Sequence, residues 1–443
     1  MIVQRALGDS RGGGYLVRGC SPCDEITGRR RRGCAAGFVE KSAASNFSEC
    51  ILGSEFTPTR RRAEMDSLQD LANGRKMMIF ERLTLRSVSA RPVLVPMRRP
   101  VVSKVGLFNE WPIILIDLMT EEGIVGRSYL EPYLKHSMRY IVPAIHDLAA
   151  SCTGQPIHPL DAFQKGQKSL NLVGDEGISM IAVSGLDMAA WDAMAKAANM
   201  PLAGFLGGSL GKVPAYNSNG LWLKDVASLG DEAQELVSEG DFKGLKLRLG
   251  REKLADDLAV IDAIRTAVGE DIKLMVDFNQ GLSLGDALRR CHALDNQGLY
   301  WFEEPIAYNN LAGYAQLARE LKTPVQLGEN FYGPRALYQA LALGCGDYVM
   351  PDLMRIGGVT GWLRSAAIAG ALGIEMSTHL YPEFSAHLMR ATETAHWLEW
   401  QDWGDPILAE PFEISASCLA IPNRPGAGVD WDEDAVRRYR YDA

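Results

Sequence analysis

The sequence of 443 residues predicts a parallel α/β barrel that follows an α+β module. After residue 206, apolar strand-like runs alternate with helical stretches in eight βα units over about 190 residues, a period typical of a barrel. Before residue 206, two strand-like runs are followed by helical patterns, which indicates a separate module of about 130 residues.

The composition restricts the class of protein. With 47% hydrophobic and 23% charged residues, the chain is too apolar to be disordered throughout. The net charge of −9 argues against a non-specific nucleic-acid binder, and no uninterrupted apolar run reaches the length of a membrane span. The eight cysteines form no disulfide framework. We therefore expect a cytoplasmic protein without a nucleic-acid or membrane partner.

The first 76 residues differ from the rest of the chain. They carry 11 Arg and 2 Lys against 9 acidic residues, and they show no sustained apolar period. Cys20 and Cys23 have the spacing of a zinc site, but no second pair completes it. The acidic residues argue against a targeting peptide. We expect residues 1–76 to be a disordered or spurious extension, with the folded protein beginning at Met77 or Met78.

The α+β module is expected in residues 78–205. Met78–Val95 alternates like a strand and Trp111–Met119 is a second strand, so the two predict a small antiparallel sheet. The clearest helical pattern is Gly177–Ala198, with apolar residues at i, i+3 and i+4. Earlier helical patterns cover Leu130–Cys152 and His158–Leu170.

The barrel is expected in residues 206–400. A doubly wound sheet is the structural alternative, but no GxGxxG motif follows a strand. Helical stretches such as Asp256–Val268 and Gly361–Ala371 lie between the strands. The eight predicted strands are Val213–Ser218, Gly244–Leu249, Lys273–Asn279, Leu299–Pro305, Pro324–Asn330, Asp347–Asp352, Ile374–Leu380 and Ala395–Trp400.

Three acidic residues lie at the ends of successive predicted strands. Asp277, Glu303 and Glu329 are each separated by 26 residues, or one βα unit. In a barrel this spacing brings them to the C-terminal mouth, where active sites lie. Unpaired carboxylates would repel one another there unless a cation lay between them, and an all-oxygen set favours Mg²⁺. Three solvated loop acids are the weaker alternative. Glu304 has the opposite strand parity and is interpreted as structural.

Cations flank this trio on the second predicted strand. Lys246 and Arg248 alternate with leucines, so both are expected to point into the mouth and to bind a carboxylate substrate. Asn279 shares the parity of Asp277 and is expected to support the metal, its waters or the substrate.

A base is expected on the other side of the mouth. Asp352 ends the sixth strand and His379 the seventh, and a carboxylate bonded to an imidazole fixes its tautomer and raises its pKa. Glu399, in an apolar part of the eighth strand, is expected to stay protonated and to donate a hydrogen bond. Together these groups describe abstraction of a proton alpha to a carboxylate. The metal, Lys246 and Glu399 would stabilise the enediolate.

Several stretches carry a family resemblance: GLDMAAWDAMAKA, GLKLRLG, LMVDFNQGL, WFEEP, PVQLGEN, MPDLMRIGGVTGW, MSTHLYPEFSAHL and TAHWLEW. Through them, residues 78–443 resemble the mandelate racemase subgroup of the enolase superfamily. The resemblance implies a modified TIM barrel, (β/α)7β, with an N-terminal α+β capping domain. Residues 401–443 would return to that domain, and the enzyme would be a homo-oligomer.

The resemblance also implies roles for individual residues. Asp277, Glu303 and Glu329 would hold Mg²⁺, and the pair His379–Asp352 would be the base for one stereochemical face. Glu399 would be the electrophilic acid. Contacts to the substrate are expected from Lys246, Ser218, Tyr133 and Asn279.

Two departures from the family pattern affect the expected function. Arg248 occupies the position of a lysine that serves as the second base in racemases, and a guanidinium is a poor base near neutral pH. In the capping segment, Lys104, Phe108 and Glu131 are expected to line the pocket, with further charge from Arg98 and Arg99, which favours a polar substrate.

The sequence therefore predicts a Mg²⁺-dependent hydroxy-acid or acid-sugar dehydratase that acts on a small carboxylate substrate. One alternative is a racemase or epimerase of a 2-hydroxy acid, in which Arg248 works as a weak base. A second alternative is a non-catalytic binding protein with the same fold. The complete set of acidic residues and His379 argues against that last possibility.

Overall fold

A computed structural model of the chain describes residues 83–442. The expectations for residues 1–76, including the Cys20–Cys23 spacing, lie outside the described residues. Within them, the structure confirms the predicted fold class, an antiparallel sheet with helices that precedes a parallel barrel.

The first sheet has three antiparallel strands in the order β1-β2-β3. They are β1 (Leu85–Ser103), β2 (Gly106–Thr120) and β3 (Val125–Leu130). The sequence did not predict β3, because Gly126, Arg127 and Ser128 leave it little apolar character. It is stabilised by pairing with β2. Lys104 lies in the tight turn between β1 and β2.

Helices pack against this sheet. The longest, Ile178–Ala197, is long and apolar enough to cross a membrane by length and composition alone, but most of it is buried inside the protein. It is a core helix that contacts β2 and β3 of the sheet on one side and helices of the barrel on the other. The helices of this part are α1 (Met138–Ala150), α2 (Pro159–Leu170), α3 (Ile178–Ala197) and α4 (Leu202–Phe205), with a 3-10 turn at Lys135–Ser137.

Eight parallel strands form the barrel. They pair in chain order, and the last pairs with the first, Leu398–Trp400 beside Ala215–Asn217. Backbone hydrogen bonds from Met376 N to Thr394 O and from His396 N to Met376 O complete the closure. The strands are β4 (Lys212–Asn217), β5 (Gly244–Arg248), β6 (Lys273–Asp277), β7 (Trp301–Glu303), β8 (Val325–Leu327), β9 (Tyr348–Val349), β10 (Glu375–Met376) and β11 (Leu398–Trp400).

Seven helical connections surround the barrel. Each observed strand overlaps the run predicted for it, and the predicted runs continue past the strand ends into the loops at the mouth. The helices are α5 (Val226–Ser238), α6 (Leu254–Val268), α7 (Leu284–Leu294), α8 (Leu311–Glu320), α9 (Gly333–Ala342), α10 (Leu353–Ile356), α11 (Gly358–Leu372) and α12 (Pro382–Met389).

The C-terminal residues contact the first sheet. Leu94 N donates to Tyr439 O, and Tyr441 N donates to Pro92 O, so the end of the chain lies along β1. This segment contains a 3-10 turn at Asp405–Ile407, followed by β12 (Glu413–Ser415), β13 (Cys418–Ala420) and α13 (Glu433–Arg438).

A buried carboxylate joins α3 to the barrel. Asp187 accepts hydrogen bonds from Thr360 N (2.9 Å) and Thr360 Oγ1 (2.5 Å) and so caps the first turn of α11 from another element. Gly358 allows this approach, because a Cβ there would lie 2.6 Å from Asp187 Oδ2. The contact fixes the segment that follows Asp352.

Candidate active site

Most of the site residues expected from the sequence line one cavity at the C-terminal mouth of the barrel. Its volume is about 50 Å³. Asp352, Ser218 and Glu303 do not line it but are hydrogen-bonded to residues that do. The expected residues that line the cavity are Tyr133, Lys246, Arg248, Asp277, Asn279, Glu329, His379 and Glu399.

Lys246 is the central cation of the site. Its Nζ lies 2.6 Å from Glu303 Oε1, 2.6 Å from Glu399 Oε1 and 3.9 Å from Asp277 Oδ2. Burial alone would lower the pKa of the ammonium, but these three acids together raise it above its usual range. Lys246 is therefore a fixed positive charge at the mouth.

Arg248 also points inward, as strand parity predicted, but its guanidinium is already bonded. It donates to Ser218 O (3.2 Å), Gly220 O (3.0 Å) and Ser218 Oγ (2.8 Å). Its Cζ lies 3.8 Å from the ring centre of Trp222. These contacts hold Arg248 as a charged group within the wall of the site.

Asp277 and Glu303 are held by donors from their own strand ends. Asp277 accepts from Asn279 N (2.6 Å) and Asn279 Nδ2 (2.7 Å), so Asn279 binds this carboxylate directly. Glu303 Oε2 accepts from Trp301 Nε1 at 3.1 Å. Burial raises the pKa of Glu303 to about 8 and also raises the pKa of Asp277. The arrangement thus buries more negative charge than its cations offset.

Glu304 lies on the other side of its strand, as its parity predicted. Its carboxylate accepts from Gly328 N (3.3 Å) and Asn330 Nδ2 (3.0 Å), and it does not line the cavity. It therefore holds the turn that carries Glu329.

His379 and Asp352 form a bonded pair. His379 Nδ1 lies 2.8 Å from Asp352 Oδ2, while Asp352 Oδ1 accepts from the backbone N–H groups of Met354 and Arg355. His379 Nε2 lies 3.2 Å from Glu329 Oε2 and 3.3 Å from the hydroxyl of Tyr133. Asp352 is thus fixed from both sides, and Nε2 is the ring nitrogen that faces the cavity.

The expectation that Glu399 stays protonated is wrong for this arrangement. Although burial would raise its pKa, Lys246 and His379 lower it to about 2. Ser218 Oγ and Leu380 N also donate to its carboxylate, at 2.8 Å and 2.9 Å. The adjacent apolar residues Leu398 and Trp400 have the opposite parity on β11, so they point away from the carboxylate.

The donor set fits Mg²⁺ by its chemistry. Asp277, Glu303 and Glu329 supply only oxygen ligands, and a divalent cation would offset the excess buried negative charge. In the part of the chain that the structure describes, no three Asp, Glu, His or Cys side chains already converge on one point. Instead, Glu303 is bonded to Lys246, and Glu329 is bonded to His379.

The expected contribution of the capping segment needs correction. Glu131 is buried and accepts from Trp111 Nε1 at 3.0 Å, outside the cavity lining. Arg98 and Arg99 bind Glu239 on the barrel, at 2.5 Å and 2.7 Å. Lys104 is exposed, with its side chain against Gly281 at the rim. Phe108 packs edge-on against Trp111. None of these residues lines the cavity, so they do not supply the polar lining expected from the sequence.

The cavity lining also includes four residues that were not predicted from the sequence. They follow strand ends, and extending the strand-end rule by a few residues would have found them. They are Trp222 after β4, Leu380 beside His379, and Gln401 and Trp403 after β11.

Larger cavities lie elsewhere in the described residues. One of about 130 Å³ lies among α1, α2 and α3, and a groove of about 590 Å³ lies beside α13. Both lack the strand-end acids and His379, so the smaller cavity at the mouth is the site with catalytic chemistry.

Two family descriptions match this chain. The mandelate racemase/muconate lactonizing enzyme N-terminal domain matches residues 85–207, and the enolase C-terminal domain-like description matches residues 228–435. The chain is also similar to the L-talarate/galactarate dehydratase of Salmonella typhimurium, with 30% identity over 353 residues, which are 79% of this chain and 86% of that protein. Other similar proteins are named as dehydratases, cycloisomerases, an epimerase and a racemase.

Solved structures agree with this similarity. An enolase from the alphaproteobacterial strain bal199, crystallised with bound Mg, is 57% identical with a TM-score of 0.80 and covers 81% of this chain and 100% of its own. An enolase from Bradyrhizobium, complexed with magnesium and mandelic acid, is 38% identical with a TM-score of 0.79. It covers 83% of this chain and 100% of its own.

Proposed function

The chain belongs to the mandelate racemase/muconate lactonizing enzyme family of the enolase superfamily, and on this premise we propose that it is a Mg²⁺-dependent dehydratase of a hydroxy or sugar acid. The reaction would remove the proton alpha to the carboxylate and the hydroxyl at the next carbon. The resulting enol tautomerises to a 2-keto acid, and one water is released.

One observation favours dehydration over racemisation. Racemisation with two bases needs a proton acceptor on each face of the alpha carbon. His379 can serve one face through Nε2, because Asp352 fixes its tautomer from the Nδ1 side. Arg248 would have to serve the other face, but it is charged and bound to Ser218, Gly220 and Trp222. Among the described residues, His379 is therefore the base that we propose for this reaction.

The remaining residues would bind and orient the acid. Asp277, Glu303 and Glu329 would hold Mg²⁺, which supplies positive charge to the carboxylate as negative charge develops on it. Lys246 would contact the same carboxylate of the substrate. Glu399 and Ser218 would keep Lys246 and Arg248 in position. Asn279 would hold Asp277, and Tyr133 would bound the space in front of His379 Nε2.

We also propose a cellular environment and an oligomeric state for the enzyme. The described cysteines Cys152, Cys291, Cys345 and Cys418 are free, which is consistent with a reducing, cytoplasmic environment. We further expect a small carboxylate substrate and a homo-oligomeric enzyme, whose size gel filtration with light scattering would measure.

The direct test is a screen of an acid-sugar library with the Mg²⁺-loaded protein. Formation of a 2-keto acid from at least one acid is expected. A protein that binds these acids but yields no 2-keto acid and exchanges no alpha proton would contradict the enzyme proposal and favour a binding protein.

Replacing Arg248 by lysine tests the one-base interpretation. We expect the dehydration rate to fall about 10-fold, because bonds to two carbonyls and a hydroxyl are lost. A lysine there can lose its proton, so exchange on the opposite face of the acid should appear. NMR of acid recovered from D₂O measures both faces. An unchanged rate without new exchange would show that Arg248 is not at the reacting face.

A further inference from the structure

Three residues that line the cavity each have one buried polar atom without a hydrogen-bond partner among the described residues. Arg248 Nε, a donor, lies 3.9 Å from Asp277 Oδ2, which leaves Trp222 Nε1, a donor, and Gln401 Oε1, an acceptor, as a pair. The two side chains belong to residues that are only 2% and 5% exposed. An unsatisfied buried polar atom costs free energy, so such a pair in a substrate cavity indicates a ligand group that satisfies both.

Neighbouring contacts fix both side chains. Gln401 Nε2 lies 3.4 Å from Glu399 Oε1, and because a carboxylate only accepts hydrogen bonds, the amide nitrogen must face it and leave Oε1 free. The Trp222 ring lies against the guanidinium of Arg248, so the indole N–H cannot turn away. The wall of the cavity thus contains one unpaired donor, on Trp222, and one unpaired acceptor, on Gln401.

A hydroxyl is the small group that matches a donor and an acceptor together. A carboxylate has only acceptors, so it would meet the Gln401 oxygen unfavourably. A methyl group would leave both atoms without a partner. The unpaired atoms of Trp222 and Gln401 therefore favour a hydroxyl group over a carboxylate or a methyl group.

The charges of the site agree with this distinction. The permanent cations that line the cavity, Lys246 and Arg248, both belong to one strand of the barrel, β5. The other side is formed by Tyr133 and Trp403, which pack on Trp111 with ring centres 5.2 Å and 4.3 Å away. Glu131 accepts a hydrogen bond from Trp111. The cation next to this aromatic wall, Arg355, lies against the Tyr133 ring and donates to Glu329 O, and it does not line the cavity. In the described part of the chain, the lining of this wall therefore offers no cation to a second carboxylate.

We propose that Trp222 and Gln401 recognise a hydroxyl group beyond the reacting carbons, so that the substrate is a short hydroxy acid with a single carboxylate and not a diacid. The proposal rests on the proposed function, since it assigns the substrate class of that site. The small volume of the cavity agrees with a short acid.

Three acids that differ only at the fourth carbon test this directly. They are 2,3,4-trihydroxybutanoate, 2,3-dihydroxybutanoate and tartrate, with a hydroxymethyl, a methyl and a carboxylate group at that position. Each is used in all its stereoisomers. With the Mg²⁺-loaded protein, kcat/KM for the best trihydroxy acid should exceed that for its methyl analogue about 10-fold and that for tartrate about 100-fold.

Two variants should reduce the preference for the hydroxyl. Gln401→Met removes the acceptor with little change in volume, and Trp222→Phe removes the donor while keeping a ring against Arg248. Each should lower the ratio of trihydroxy to dihydroxy acid about 10-fold. Gln234→Met, at an exposed position of α5, is the matched control and should leave the ratio unchanged.

Binding is measured alongside turnover, by quenching of tryptophan fluorescence and by the thermal shift with each acid. If no acid gives a 2-keto acid but the trihydroxy acid binds most tightly, the substrate class stands and the proposed reaction fails. If acids are dehydrated but tartrate is preferred, or if both variants keep the wild-type ratio, the assignment of Trp222 and Gln401 is overturned. Equal binding of all three acids would also overturn it.

Discussion

Replacing His379 by asparagine is expected to reduce dehydration by at least about 10³-fold and to remove exchange of the alpha proton. Asparagine can keep a hydrogen bond to Asp352, but it cannot accept a proton near neutral pH. Among the described residues, the other carboxylates of the site are assigned to Mg²⁺ or bonded to Lys246, and Arg248 is bonded to Ser218 and Gly220, so the loss should not be compensated. Turnover is followed as 2-keto acid, and exchange is followed by NMR in D₂O.

His292→Asn is the control for this substitution. His292 is exposed, lies 3.3 Å from Glu320 and does not line the cavity, so the variant should retain full activity. Both proteins should show the same circular dichroism and nearly the same Tm. A His379→Asn protein that folds and keeps more than a tenth of the wild-type rate would show that another group takes the proton.

Replacing Glu303 by glutamine is expected to weaken Mg²⁺ binding about 100-fold or more, with a matching loss of activity. The substitution keeps the shape of the side chain and removes one of three carboxylates. The amide also loses the charge that pairs with Lys246 at 2.6 Å. Isothermal titration calorimetry measures the Mg²⁺ affinity without any substrate.

The adjacent acid provides a matched control. Glu304 is as buried as Glu303 but is bonded to Gly328 and Asn330 on the other side of the strand. Glu304→Gln should keep its Mg²⁺ affinity within about threefold, with any loss appearing in Tm. Equal loss of Mg²⁺ binding in both variants would mean that the carboxylates act through the turn and not as ligands.

Strand period and parity were sufficient to predict the barrel and the position of its acids. A parallel strand of a barrel has a short apolar sequence followed by a polar residue at the mouth, so Asp277, Glu303 and His379 could be located from the sequence alone. The same parity separated Glu303 from Glu304, because neighbouring residues of a strand point to opposite faces.

Contacts between distant parts of the chain were not predictable in this way. Arg98 and Arg99 bind Glu239, which lies more than a hundred residues further along the chain. Their position in the capping segment therefore did not show whether they line the pocket. The protonation of Glu399 depends on Lys246, which comes from a different strand. Such pairings arise from the closure of the barrel, and no local sequence pattern encodes them.

If His379 is the single base of the site, exchange of the alpha proton in D₂O will be confined to one face of the substrate. The wild-type protein with Mg²⁺ is incubated with each enantiomer of an accepted acid and of its analogue that lacks the leaving hydroxyl. We expect one enantiomer of the analogue to exchange its alpha proton, whereas the accepted acid forms a 2-keto acid. Exchange of both enantiomers at similar rates would contradict it and would make Arg248 a working base in a racemase.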